Sequence, residues 1–403
     1  MKHNAFRLMM CSLLLVPAAC APQLVPTPMS PPVPTPTSPL DSASQGQPHR
    51  DGIGTPQPAR IEEITFQSGS FTLVGDLRLP AGTAAFPIIL LNQGSGMHDR
   101  TNNGFTLPIM ERMRRAGYAT FSWDKPGNGE STGQLREPYL RHQRAQIVLD
   151  AIEVMKARSD INPQRIGLWG ISQASWVMPL ALAQSKDIAF MLCVSCSGMS
   201  GRDQMAFQTV AQSFCGEAPR EKSGELGRLL AELDMARTFE TYEEYVRYRA
   251  VLDALAELGS ASIDKWPVSS EEVWRKNDSG QEDTWNPIEV VEQVSIPVLA
   301  IFGEQDSQGD PIQGAHAWRR ALEQAGHPYS RVEVFPGSDH LLNVTETGCM
   351  QEANQMVEQV VRDQGYTSPN EFLQDPEQIP LSALPFVPGY LDLIEDWLTG
   401  LQP

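Results

Sequence analysis

The chain has 403 residues, 41% of them apolar and 20% charged, with 31 Lys plus Arg against 49 Asp plus Glu and a net charge of −18. That length and composition fit one large globular domain or two medium ones. An acidic surface of this kind repels a phosphate backbone, which argues against nucleic acid as a partner.

Residues 1–20 read as an export leader. Lys2 and Arg7 supply a positive start, and Leu8 to Val16 form an apolar stretch too short to cross a bilayer. Pro17-Ala18-Ala19-Cys20 then sets small residues before a cysteine. The pattern resembles a bacterial lipoprotein signal, which implies cleavage before Cys20, lipid attachment there, and a membrane anchor in the cell envelope. Pro17 stands where such signals carry an aliphatic residue, and soluble secretion is the alternative. Residues 21–60 hold Pro22, Pro26, Pro28, Pro31, Pro32, Pro34, Pro36 and Pro39 among Thr, Ser and Val. This composition favours extended polyproline II and cannot build a core, so the segment reads as a linker or tether.

From residue 61 strands and helices alternate. Phe71 to Leu79 is predicted as an early strand, paired with Ile61 to Phe66. Continuous apolar runs follow at Phe86 to Leu91, Tyr118 to Trp123, Arg165 to Trp169, Ala189 to Cys196 and Pro297 to Phe302, with a shorter one at Arg331 to Phe335. Such runs suit strands covered on both faces. Helical spacing is found over Gly104 to Ala116, Leu140 to Arg158, Gln173 to Gln184, Gly314 to Ala325 and Gly389 to Leu401. The alternation implies an α/β domain over residues 61–403 with a doubly wound, mostly parallel sheet. Residues 201–286 interrupt it with a helical stretch between two predicted core strands, which reads as an inserted cap. Its Met205, Phe207, Phe214, Leu229 and Leu230 either line a pocket or form the cap's own core.

Gly170-Ile171-Ser172-Gln173-Ala174 follows one of these strands and opens a helix. A sharp strand-to-helix turn of this kind exposes a nucleophilic serine, and small residues are needed where strand and helix nearly touch. In this arrangement the acid comes next in the chain and the histidine last. His340 follows the final apolar strand, whereas His316 and His327 fall in or beside a surface helix. Asp306 lies just past the penultimate strand and is the expected orienter of His340, with Asp310 and Asp339 as rivals. Asn92-Gln93-Gly94-Ser95-Gly96 ends an earlier strand where an oxyanion hole is needed; Ser95 N–H and Gln173 N–H are its expected donors. Asp124 to Ser131 forms a tight turn.

These residues resemble the α/β-hydrolase superfamily across residues 60–403, most closely its bacterial serine-aminopeptidase-like and prolyl-oligopeptidase-like members. The resemblance rests on Gly94-Ser95-Gly96 followed by Asp99-Arg100, on Trp176 and Pro179 in the elbow helix, and on Pro388-Gly389-Tyr390 before the last helix. Gln93, Ala174-Ser175 and Lys125-Pro126 depart from the His, paired Gly and Arg-Gly found there. The expectation is a serine hydrolase that forms an acyl-enzyme on Ser172 and cleaves small carboxylic esters. A peptidase or amidase is the enzymatic alternative, and a non-catalytic binding lipoprotein the other. Neither a metal nor a cofactor is expected. Cys193 and Cys196, at opposite parity on a predicted strand, are expected not to bond; Cys215 is a candidate to pin the cap, its partner among Cys193, Cys196 and Cys349 unread.

Overall fold

The computed structural model describes residues 60–83, 85–96, 98–135, 140–215, 228–230, 232–233, 241–258, 268, 270–276, 285–363, 365 and 385–401. The predicted leader, Cys20 and the Pro-rich linker up to residue 59 lie outside the described residues.

The apolar runs become β3 (Phe86–Asn92), β4 (Ala119–Trp123), β5 (Ile161–Ile171), β6 (Ile188–Val194), β7 (Val298–Gly303) and β8 (Arg331–Phe335), all parallel to their neighbours among these. β1 (Arg60–Ser68) and β2 (Phe71–Leu79) form an antiparallel hairpin, and β2 joins β4 antiparallel. The eight strands run in the order β1-β2-β4-β3-β5-β6-β7-β8. This is the mostly parallel, doubly wound sheet that the alternation implies. β5 begins four residues earlier than expected. Its pairing with β3 is irregular around Pro163, and such irregular pairing is where a strand tolerates proline.

Helices α1 (Leu107–Arg115), α2 (Leu140–Lys156) and α3 (Ala174–Gln184) alternate with the strands. Between β6 and β7 come α4 (Gly201–Ser213), α5 (Tyr242–Leu258), α6 (Glu271–Lys276) and the short α7 (Ile288–Val291). α8 (Pro311–Ala325) precedes β8, while α9 (Met350–Asp363) and α10 (Tyr390–Gly400) follow it. The period of two along β3 divides the core. Ile88 and Leu90 join the layer under α2, α3 and α8, while Ile89 and Leu91 join the layer under α1 and α10.

The inserted segment has an apolar cluster of its own. Leu229, Leu233, Tyr248, Leu252, Leu255 and Trp274 are buried in it, with Met205 and Leu230 against its edge. Phe214, offered by the sequence as a pocket wall, is instead 58% exposed. Two links staple α4 to loops of the sheet. Gln212 Nε2 donates to Ser307 Oγ at 2.6 Å, and Ser307 Oγ donates to the Gly348 carbonyl at 2.5 Å. Cys215 and Cys349, 134 residues apart in sequence with α-carbons 5.6 Å apart, form a disulfide. In chain-entropy terms a loop of that length is worth on the order of 5 kcal/mol.

The expectation for the other pair is corrected: Cys193 and Cys196 are bonded, with α-carbons 5.8 Å apart. β6 ends at Val194, and Ser195 takes the left-handed φ of 47°. Strand alternation therefore stops one residue before Cys196, and the parity argument does not reach it.

Candidate active site

β5, β7 and β8 each deliver one of the predicted groups beyond its carboxyl end, where ligands bind in sheets of this kind. Ser172 follows β5 with φ 57°, a left-handed conformation unusual for a serine and expected at a sharp nucleophile turn. Gly170 makes the turn possible, because a Cβ there would meet the Ala174 methyl at 2.5 Å and the Met178 methyl at 2.8 Å. The Ser172 N–H donates to the Val194 carbonyl at 3.0 Å.

Asp306 and His340 are brought together. His340 Nδ1 lies 2.7 Å from Asp306 Oδ2, with both residues buried. The N–H groups of Gln308 and Gly309 each donate to Asp306 Oδ1 at 2.8 Å, which leaves Oδ2 for the imidazole. The loops after β7 and β8 pack closely because Gly303 carries no side chain: a Cβ there would sit 2.1 Å from the Asp339 carbonyl. Ser195 Oγ donates to the His340 carbonyl at 2.7 Å, so the loop after β6 braces the histidine backbone. No hydrogen bond joins Ser172 Oγ to His340 among the described residues, and such contacts are often loose before substrate arrives.

The rival carboxylates have other tasks. Asp310 caps α8, accepting from Ile312 and Gln313 N–H. Asp339 accepts from Leu341 and Asn343 N–H at 2.9 Å each. Burial works against a charged His340, but the charge and hydrogen bond of Asp306, with the charge of Asp339, outweigh it. The imidazole pKa is raised above its ordinary value. Burial pushes the Asp339 carboxyl up against its two N–H donors.

Ser95 is exposed at the tip of the loop after β3, and Gln173 is half-buried at the start of α3. Among the described residues neither backbone N–H has an acceptor, so both are free to donate. The Asp124 turn is more than a surface feature: Asp124 accepts from Arg100 and Glu130 N–H, and the Arg100 guanidinium also pairs with Asp76, Glu63 and Glu130.

Residues 69–340 match the family described as X-Pro dipeptidyl-peptidase (S15 family). The chain belongs to that family. This S15 member is 25% identical over 250 residues to an uncharacterized 31.7 kDa protein in the traX-finO intergenic region of Escherichia coli, covering 59% of this chain and 78% of the other. Among solved structures it is similar to the α/β-hydrolase GrgF from Penicillium sp. sh18, with TM-score 0.44, 20% identity and coverage of 76% and 96%. The Pyrococcus furiosus esterase Pf2001 is also similar, with TM-score 0.42, 13% identity and coverage of 69% and 82%. By its family match the chain is a serine hydrolase.

Two buried basic residues of this S15-family site, Arg144 and Lys125, have no role assigned from the sequence. Arg144, on α2, donates to the Gln93 and Gly94 carbonyls and to Gln173 Oε1. Lys125, in the Asp124 turn, donates to the Gly94 and Gly96 carbonyls. A signal for Arg144 exists: it falls in register with Ile147, Val148, Ala151 and Met155 on the buried stripe of α2, where an arginine needs a reason.

Proposed function

We propose that the chain hydrolyses small carboxylic esters through an acyl-enzyme on Ser172. The observation that carries this reading is the buried 2.7 Å contact between His340 Nδ1 and Asp306 Oδ2, on the sheet edge that also presents Ser172 in its strained turn. Asp306 holds the tautomer that leaves His340 Nε2 open as general base. Ser172 Oγ attacks the carbonyl carbon while Nε2 takes its proton, and the Ser95 and Gln173 N–H groups receive the oxyanion. The proton then passes to the leaving alkoxide. Water repeats the sequence on the acyl-enzyme and releases the acid.

The family match favours a second reading, cleavage of X-Pro peptides by the same groups. A panel of p-nitrophenyl esters and X-Pro p-nitroanilides separates the two. The ester reading expects saturable turnover of the esters and none of the anilides. Saturable anilide hydrolysis with poor ester turnover would replace it by the peptidase reading.

The lipoprotein leader and anchor at Cys20 belong to the same proposal. Two disulfides support export, because such bonds persist in oxidising compartments. Cys20→Ser is expected to move the protein from the membrane fraction to the soluble one. Wild-type protein already found in the soluble fraction would refute the anchor.

A further inference from the structure

Lys125 and Arg144 are 6% exposed each, and among the described residues neither touches a carboxylate. Buried charges are ordinarily paired with an opposite charge, because losing water is unfavourable to an ion. Here the partners are neutral oxygens, and they are concentrated in one place. Four contacts end on the carbonyls of Gln93, Gly94 and Gly96, the loop that carries Ser95. A single nitrogen, Arg144 Nη1, reaches both the Gly94 carbonyl at 3.3 Å and Gln173 Oε1 at 2.5 Å.

Peptide geometry shows what the clamp does. In a planar trans peptide the C=O of one residue and the N–H of the next point in opposite directions. Holding the Gly94 carbonyl against Arg144 and Lys125 therefore turns the Ser95 N–H away from both cations. Gly94 itself lies against the elbow, since a Cβ on it would be 3.2 Å from Ser172 Cβ. Arg144 also holds the Gln173 side chain, and Gln173 supplies the other N–H.

We propose that Arg144 is a positioning residue that fixes both donor arms of the oxyanion hole at once, one through the Gly94 carbonyl and one through Gln173. Lys125 is the second clamp on the Gly94 peptide. The inference rests on the proposed acyl-enzyme reading. The Arg144 charge also polarises the peptides it holds, which sharpens the donors on the far side. Burial and the nearby Arg144 hold the Lys125 pKa well below its usual value, and burial lowers Arg144 to about 10. Burial, then the charges of Lys125 and Arg144, lower His98 to about 4. A neutral His98 is therefore left to donate from Nε2 to the Ser95 carbonyl at 2.5 Å, a further brace on the same loop.

Arg144→Lys keeps the charge and loses the planar fork, and Arg144→Met loses both. A 1 Å misplacement of a catalytic group costs about 10²-fold, and loss of one oxyanion donor about 10²- to 10³-fold. The expected result is a kcat for p-nitrophenyl acetate lowered by about 10²-fold in Arg144→Met and by a smaller factor in Arg144→Lys, with KM little changed. Affinity for a boronic acid that mimics the tetrahedral intermediate should fall in parallel, and added guanidinium ion should restore part of the activity of Arg144→Met. A purely structural arginine would lower the melting temperature without a parallel loss of boronate affinity and without rescue. If Arg144→Met does not fold, Arg144→Lys decides: a folded variant with wild-type kcat and boronate affinity overturns the proposal. Labelling of wild-type protein with a fluorophosphonate keeps the two questions apart. An unlabelled Ser172 removes the acyl-enzyme reading, whereas a labelled Ser172 with unaffected Arg144 variants removes only the clamp.

Discussion

Ser172→Ala is expected to lower kcat by about 10⁴- to 10⁶-fold and to leave the fold intact, because the three groups act as one unit. The substitution removes one oxygen from a half-buried position, and alanine fills the same backbone turn. The melting temperature should therefore stay near the wild-type value; the left-handed φ of 57° costs a serine and an alanine similar strain. Steady-state kinetics on an ester, with thermal unfolding on the same preparation, check both halves. Retention of more than a few per cent of activity in the folded variant would remove Ser172 from the chemistry.

The second large effect concerns Asp306. Asp306→Asn keeps the shape but presents an amide to His340 Nδ1, which favours the wrong tautomer, and kcat is expected to fall by about 10⁴-fold. The pH dependence carries a separate sign. His340 must be neutral to take the serine proton, so the rate rises with pH as the imidazolium loses its proton. With the wild-type pKa raised by Asp306 and Asp339 against burial, that rise lies above the ordinary histidine value of 6.5. Removing the Asp306 charge leaves burial to dominate, so the rise should move to lower pH in the residual activity of Asp306→Asn. A rate–pH profile for kcat/KM in both proteins checks this. A rise that stays in place would mean that His340 is not the group titrating, or that Asp306 is not its partner.

Much of the fold is legible in local patterns. Apolar runs bounded by turn residues mark the strands, and the alternation of Ile88, Ile89, Leu90 and Leu91 between two cores is what a strand covered on both faces requires. β5 starts at Ile161 rather than at the predicted Arg165, and it runs through Asn162-Pro163 because its pairing with β3 is irregular there. α9, amphipathic and lying beyond the histidine loop, was not read from the sequence. Cys193 and Cys196 show the limit of parity, which holds only while the strand continues, and Ser195 ends it with a left-handed φ.

The site divides in the same way. Residues that chain order and strand ends identify, Ser172, Asp306 and His340, can be named from sequence because each follows a recognisable strand. Arg144 and Lys125 act across the fold, on carbonyls about 30 to 50 positions away in the chain. No local pattern encodes such a partner. Only the apolar stripe of α2, broken by one arginine, hints that the residue has a buried task.

In the proposed reaction Ser172 is the nucleophile. The most direct measurement is to treat the wild-type protein and Ser172→Ala with a fluorophosphonate probe and map the adduct by peptide mass spectrometry. One stoichiometric adduct is expected on the peptide that contains Ser172, lost in Ser172→Ala together with ester turnover. An adduct on another serine, or an active enzyme that takes up no probe, would contradict it.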